Sequence, residues 1–408
     1  MELQANPTKK RRYNLEDDQP PTLMENLPQE IIQDILSRLP ISSLVRFKCV
    51  CHSWRALAQD PDLINMYFTT NNIKNDPCLI LHCDFPIKNH LYFLDFAADN
   101  QEKHKVKRIH TPFSPIMPEF DVVGSCNGLL CLADSLYNDS IFIYNPFLMS
   151  YIELPKSLNY SDQEIVFGFG FHPKTRKYKV VRIVYYRNSS FRARRLIYPQ
   201  SEVQILTVGD SEWRSLGKIS YQLVRRHSEA SVNGRIHWVS RPRRYNPARR
   251  LVSFDLEDEQ FREVPKPDCG GLSRCNYHLV VLKGCLSAAV YCNYGRLEIW
   301  VMKEYNVKES WVKQYCIGSY MPKGLKQNID RPTKIWKING AIGRVVRVLG
   351  VLKNGEILLE YKNRVIVSYD PNLGKFKDLA LQSTPKWFQT VVHVGSLNWI
   401  DSPIDSYN

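Results

Sequence analysis

The sequence predicts a small all-α N-terminal unit followed by an all-β domain, a β-propeller of about six blades. Three observations predict it. Apolar residues recur at helical spacing across residues 23–68. From residue 77 onward, short runs of Val, Ile, Tyr and Phe alternate with Gly, Asn, Asp and Pro turns. Those runs group in fours, and the last run in the chain is placed to complete the first group.

Composition sets the bounds. The 408 residues, 44% hydrophobic and 24% charged, exclude collagen, a wholly disordered chain and a pure coiled coil. At about 150 residues per domain the length suits two or three domains. No run of 18 apolar residues occurs, so neither a spanning helix nor a membrane partner is expected. The opening MELQANPTKKRRYNLEDDQ has no apolar stretch, so no secretory signal is expected. Eleven scattered cysteines, an odd number, then read as reduced thiols of an intracellular protein, nuclear and/or cytoplasmic. Residues 1–22 read as a disordered tail and 401–408 as a short tail, and Lys9 to Arg12 is a short match to a nuclear import signal.

In LPQEIIQDILSRLP the apolar positions Leu27, Ile31, Ile32, Ile35, Leu36 and Leu39 make one wide helical face. Pro28 suits the first turn, Glu30 the positive end of the helix dipole and Arg38 the negative end. Pro40 stops the helix. Ser42 or Ser43 is the expected cap of a second helix carrying Leu44, Val45, Phe47 and Val50. A third helix, CHSWRALAQD, carries Trp54 and Leu57. A unit this small needs a partner helix or an adjacent domain.

The β region, residues 69–400, divides into units of strand, turn, strand, loop, strand, turn, strand. VVGSCNGLLCLADS with IFIYNPFLMSYIELP is one. FGFGFHPKTRKYKVVRIVYY with EVQILTVGDSEWRSLG is the next. EASVNGRIHWVS, HLVVLKGCLSAAVYC and VLGVLKNGEILLEY open three more. Asn127-Gly128, Asn233-Gly234, Lys283-Gly284 and Asn354-Gly355 supply the positive φ of two-residue hairpins. A sixth unit, with strands near 78–83, 91–96 and 106–110, is completed by the C-terminal TVVHVGSLNW, which closes the ring and removes free sheet edges. The competing architecture is a pair of stacked β-sandwiches.

The formal net charge of +14 is concentrated. Residues 165–201 hold nine bases and no acid, and residues 225–250 hold eight arginines against Glu229 alone. Such a field favours an acidic or phosphorylated partner, or nucleic acid. Catalytic motifs are wanting. Residues 124–128 have the spacing of a nucleophile elbow, but Asn-Gly there reads as a hairpin turn followed by a strand. Neither a CxxC pair nor HExxH occurs, and the ten histidines are dispersed, so neither a metal nor a cofactor is expected. His237, between Ile236 and Trp238, reads as a hydrogen-bonded strand residue.

Two segments resemble a known family. Residues 24–68 resemble an F-box through Leu27-Pro28, Glu30-Ile31-Ile32, Ile35-Leu36, Leu39-Pro40, Leu44, Arg46-Phe47, Cys49-Val50-Cys51 and Trp54-Arg55. Residues 123–320 resemble the F-box-associated domain of plant F-box proteins, near the F-box/kelch-repeat group, through GSCNGLLCL, GFGFHPKTRKYKVV, EVQILTVGDSEWRSL and VSFDLEDEQFREVP. The tail after 320 matches loosely, and full kelch signatures are not seen. The resemblance implies a non-catalytic substrate receptor of an SCF (Skp–cullin–F-box) ubiquitin ligase. A Skp-type adaptor would bind the F-box and link it to cullin and RING subunits. Carried over, the adaptor contacts are Leu27, Pro28, Ile31, Ile32, Leu36, Leu39, Pro40, Leu44, Val45 and Val50, some of which must instead hold the helices together.

Repeat phasing adds a target surface. In a four-stranded blade the 1–2 and 3–4 turns lie on one face and the 2–3 loops on the other. Two long 2–3 loops, near 186–201 and 240–249, belong to consecutive blades. Arg187, Arg192, Arg194, Arg195, Arg241, Arg243, Arg244, Arg249 and Arg250, with Tyr198 and Tyr245, are the expected cationic patch for an acidic or phosphorylated target. The alternative is a nucleic-acid-binding or scaffold propeller that uses the same loops.

Overall fold

The computed structural model describes residues 27–39, 41–47, 49–60, 62–64, 66–67, 78–94, 104–137, 139–160, 163–186, 200–224, 230–241, 249–268, 277–292, 296–326 and 346–396. The 1–22 and 401–408 tails, Lys9 to Arg12 and Pro40 lie outside them.

Three helices come first: α1 (Gln29–Ser37), α2 (Ile41–Phe47) and α3 (His52–Ala58). Pro28 sits just before α1, where its carbonyl oxygen accepts from the Ile31 and Ile32 N–H groups. It has no N–H to leave unpaired at that end. The second helix starts at Ile41, so Ser42 and Ser43 lie inside its first turn and not at its cap. Leu36, Leu44, Ala58, Leu63 and Tyr67 form the core of the unit. Phe47 stacks on Trp54 with ring centroids 3.9 Å apart, which holds α2 to α3. The Gln33 amide donates to Asp60 at 2.8 Å and ties α1 to the end of α3.

Six antiparallel four-stranded sheets follow. Blade 1 is Phe120–Cys126, Leu129–Asp134, Ile141–Asn145 and Ser150–Glu153. Blade 2 is Gln163–His172, Lys177–Tyr186, Gln200–Thr207 and Arg214–Gly217. Blade 3 is Ala230–Val232, Arg235–Val239, Leu251–Asp255 and Phe261–Val264. Blade 4 is Tyr277–Leu282, Cys285–Tyr291, Leu297–Met302 and Trp311–Ile317. Blade 5 is Val346–Val351, Ile357–Tyr361, Val365–Asp370 and Lys375–Asp378.

Blade 6 takes its first strand, Trp387–His393, from the C-terminal end of the chain. Cys78–Phe85, Leu91–Leu94 and Lys107–Ile109 complete it. The inner strands of neighbouring blades pack in sequence around the axis, with the first strand of blade 2 against the second of blade 3 and blade 6 against blades 5 and 1, so the ring is closed. The propeller expected from the repeats is the fold, and the sandwich alternative is excluded.

Three of the four hairpin turns have both central residues at positive φ: Asn127 and Gly128, Asn233 and Gly234, Lys283 and Gly284. The fourth differs. Only Gly355 has positive φ, and its N–H bonds to the Leu352 carbonyl at 2.9 Å. There a longer turn ends in a left-handed glycine and replaces the two-residue hairpin.

The GFGF run also finds its reason. A Cβ on Gly168 would lie 2.5 Å from the Trp238 ring, and one on Gly170 would lie 2.8 Å from Leu256. Bare backbone in blade 2 lets the large side chains of blade 3 close against it. The Trp238 indole N–H donates to the Phe167 carbonyl across the same seam at 3.2 Å.

Candidate binding surfaces

The apolar face of α1 divides into two stripes. Ile32, Leu36 and Leu39 turn into the helical core. Leu27, Ile31 and Ile35, four residues apart, stay exposed, and Ile31 keeps 47% of its surface. Val50, between α2 and α3, is 61% exposed. Leu36 and Leu44 retain 1% and 0%. These two are internal packing, because the small unit has few other residues with which to fill its centre. Val45 is half-buried beside them, and Pro28 is exposed at the start of α1. Ile35 belongs with the exposed set although it is not among the expected contacts. Its spacing of four from Ile31 was the signal.

The helical unit sits on the propeller. Leu148 of blade 1 packs into the helical cluster. At Gly395 an added Cβ would lie 3.0 Å from Ile41 and 3.2 Å from Phe147, so glycine lets α2 pack closely there. Asn145 fixes this seat. Its Oδ1 accepts from the Phe147 and Leu148 N–H groups, and its Nδ2 donates to the Ser396 carbonyl at 3.1 Å. These residues belong to the 3–4 turn of blade 1 and to the segment after its neighbour's inner strand. The helices therefore occupy the face that carries the 1–2 and 3–4 turns. The 2–3 loops lie on the opposite face.

Of the expected cationic patch, Arg187, Arg192, Arg194, Arg195, Tyr198, Arg243, Arg244 and Tyr245 lie outside the described residues. Among the described members, Arg241 is paired with Glu164 and Arg250 with Glu263. Their charge is thus met by carboxylates of the fold itself, a pairing that the acid-poor local sequence did not reveal. Arg249 is half-buried beside them.

The interior holds further ionisable groups. Arg182 is fully buried and donates to the Leu158 carbonyl, Gln204 Oε1 and Asn159 Oδ1 at 2.7–2.9 Å. His237 bonds the Ala230 carbonyl at 3.2 Å and the Tyr305 hydroxyl at 2.8 Å. The carbonyl only accepts, so Nδ1 carries the proton and Nε2 receives the tyrosine O–H. Burial lowers its pKa to about 4, and the expected reading as a hydrogen-bonded strand residue holds. His393 lies 3.0 Å from the Ser125 hydroxyl at the seam of blades 6 and 1, and burial lowers its pKa to about 3. Cys126, at the centre of the elbow-like spacing, starts a β-hairpin and its thiol is pushed up to about 12 by burial. Among the described residues no group of three His, Cys, Asp or Glu is arranged to hold a metal ion.

The described residues thus comprise a three-helix unit seated on one face of a six-bladed ring, with the stripe Leu27, Ile31 and Ile35 left exposed. A family model described as F-box-like matches residues 24–68, and one described as F-box associated beta propeller domain matches residues 81–398. The chain belongs to the F-box proteins with an F-box-associated propeller. The second match extends beyond the 123–320 resemblance at both ends, because the shared blade 6 is built from both ends of the chain.

F-box protein At3g07870 of Arabidopsis thaliana is 58% identical over 94% of this chain and 94% of its own. F-box/kelch-repeat protein At3g23880 of the same plant is 29% identical over 72% of this chain and 79% of its own. F-box protein CPR1, also of Arabidopsis thaliana, is 27% identical over 92% and 89%. An oligogalacturonate lyase from Vibrio parahaemolyticus matches in structure at a TM-score of 0.40 with 9% identity, covering 75% of this chain and 80% of that one. That likeness is too distant to bear on function.

Proposed function

We propose that this protein is a non-catalytic substrate receptor of an SCF-type ubiquitin ligase. The F-box docks a Skp-type adaptor, and through it cullin and RING subunits. The propeller holds a target protein for ubiquitination. The observation that carries this reading is the exposed stripe Leu27, Ile31 and Ile35 with Val50, on a unit whose core is formed by Leu36, Leu44, Ala58, Leu63 and Tyr67. A helix-in-groove contact covers such a stripe. The receptor works by proximity: it raises the local concentration of a target lysine beside the charged enzyme and transfers nothing itself.

The seat of the F-box, beside Leu148 and Gly395, supports a reading in which the two partners use opposite faces. The adaptor is held on the side of the 1–2 and 3–4 turns, and the target is received on the side of the 2–3 loops. The arginine-rich loops of blades 2 and 3 are proposed to contribute to that second side, and Lys9 to Arg12 to bring the protein to the nucleus. Binding of the full chain to a purified Skp-type adaptor tests the reading. Wild type should bind, and Ile31→Asp should weaken binding by about tenfold or more, since full burial of an Ile is worth about 1.5–3 kcal/mol.

A further inference from the structure

Among the described residues, the loop face carries a group of exposed apolar side chains. Phe85 and Ile87 belong to the 2–3 loop region of blade 6, Ile116 to the connection from blade 6 to blade 1, and Leu136 and Tyr137 to the 2–3 loop of blade 1. All five are exposed, Ile116 at 59% and Tyr137 at 75%. Scattered exposed apolar residues are ordinary, but a contiguous group on one face marks an interaction site.

These loops are stitched into one surface. The Phe120 N–H donates to the Lys88 carbonyl at 2.8 Å, and the Ser135 N–H donates to the Glu119 carbonyl at 3.2 Å. Lys88 Nζ lies 2.7 Å from Asp121 Oδ1. Two of the three apolar tips are also held by a buried anchor. The Asp134 carboxylate, itself buried, accepts from the Leu136 and Tyr137 N–H groups at 2.9 and 3.0 Å. Phe113 and Met117 are sunk in the core and their backbone bonds at 2.9 Å fix the turn that turns Ile116 out. A surface ordered before binding loses little entropy when a partner arrives.

Charge selects the partner. Lys88 stands in the field of three carboxylates, Asp121, Asp84 and Glu119. Arg108 lies 3.3 Å from His90 of the same loop, so three carboxylates face two bases and the cluster is left with one net negative charge beside the patch. We infer that this patch docks a target-protein segment bearing two or more bulky apolar residues with a Lys or Arg beside them. The inference rests on the receptor reading above and names the chemistry of the target it takes.

The test is a selection of random 12-residue displayed peptides on the purified full chain. Recovered peptides should carry paired bulky apolar residues with a base within a few positions. Their affinity should fall about tenfold or more in Tyr137→Asp and in Ile116→Asp, and several-fold in Glu119→Lys, with melting temperature unchanged. Acidic recovered peptides, affinities indifferent to these substitutions, or no enrichment would overturn it. So would a dimer in solution that Tyr137→Asp dissolves, since a second copy would then occupy the patch. Adaptor binding is measured on the same samples. Its absence in wild type with peptide binding intact removes the ligase reading and leaves the patch. The converse removes the patch alone.

Discussion

Cys78 and His393 stand 315 residues apart in the chain and face each other across one strand pair, the cysteine thiol donating to the histidine carbonyl at 3.0 Å. The register continues from Leu79 opposite Val392 to Cys83 opposite Phe388. The first β strand after the F-box and the last described strand are thus one ladder. The same junction carries the helical seat, since Gly395 and Ser396 come within three residues of His393. Ring closure and F-box placement share one piece of backbone.

A chain ending at residue 386 should therefore lose its cooperative thermal transition. It leaves the Cys78–Phe85 strand as an open edge and strips the inner layer of blade 6. Circular dichroism melting checks this, and a truncated chain that melts like wild type would contradict the closure.

Much of this was legible. The hairpins at Asn127-Gly128 and Asn233-Gly234 announce themselves because a left-handed pair admits few other residues. The shared sixth blade was legible from the leftover strands at each end. The split of the α1 face was not. Ile31 and Ile32 look alike in sequence, and only packing against the helical core decides that Ile32 is half-buried and Ile31 exposed. Nor was the pairing of Arg241 with Glu164, because it links residues of different blades.

Gly168→Ala should destabilise the protein by about 1–3 kcal/mol, the usual cost of overpacking a filled core. The added methyl group meets the Trp238 ring, which is held by its own hydrogen bond to Phe167. The shift of the urea midpoint measures it, with Ala at this site expected to leave the slope unchanged.

Stability should fall with acid below pH 6.5. His82, His237 and His393 are neutral in the fold, with burial holding their pKa values at about 4, 4 and 3. In the unfolded chain each protonates near 6.5, so the unfolded state binds more protons between that pH and the folded value. The stabilisation is complete above about pH 6.5 and declines as pH falls towards 4. A histidine held at about 4 accounts for roughly 3 kcal/mol of this, at about 1.4 kcal/mol per unit. Melting temperatures across pH 4.5–8 check the sign. His237→Phe should flatten the slope while losing the Tyr305 contact.

Arg182→Met should cost roughly 2–4 kcal/mol, since charge-assisted hydrogen bonds are worth about 1.5–3 kcal/mol and their buried acceptors would be orphaned. Its guanidinium fixes Leu158 and Asn159 at the entrance to blade 2. Denaturant unfolding should show the loss, and proteolysis should report loosening around that connection.

The most direct measurement is the affinity of the full chain for a purified Skp-type adaptor by titration calorimetry, comparing wild type with Ile31→Asp and Val50→Asp. Both residues are exposed, so neither change should lower the melting temperature. The account predicts tight binding by wild type and a loss of about tenfold or more in each variant. Binding that both variants keep, or none by a folded wild type, would contradict it.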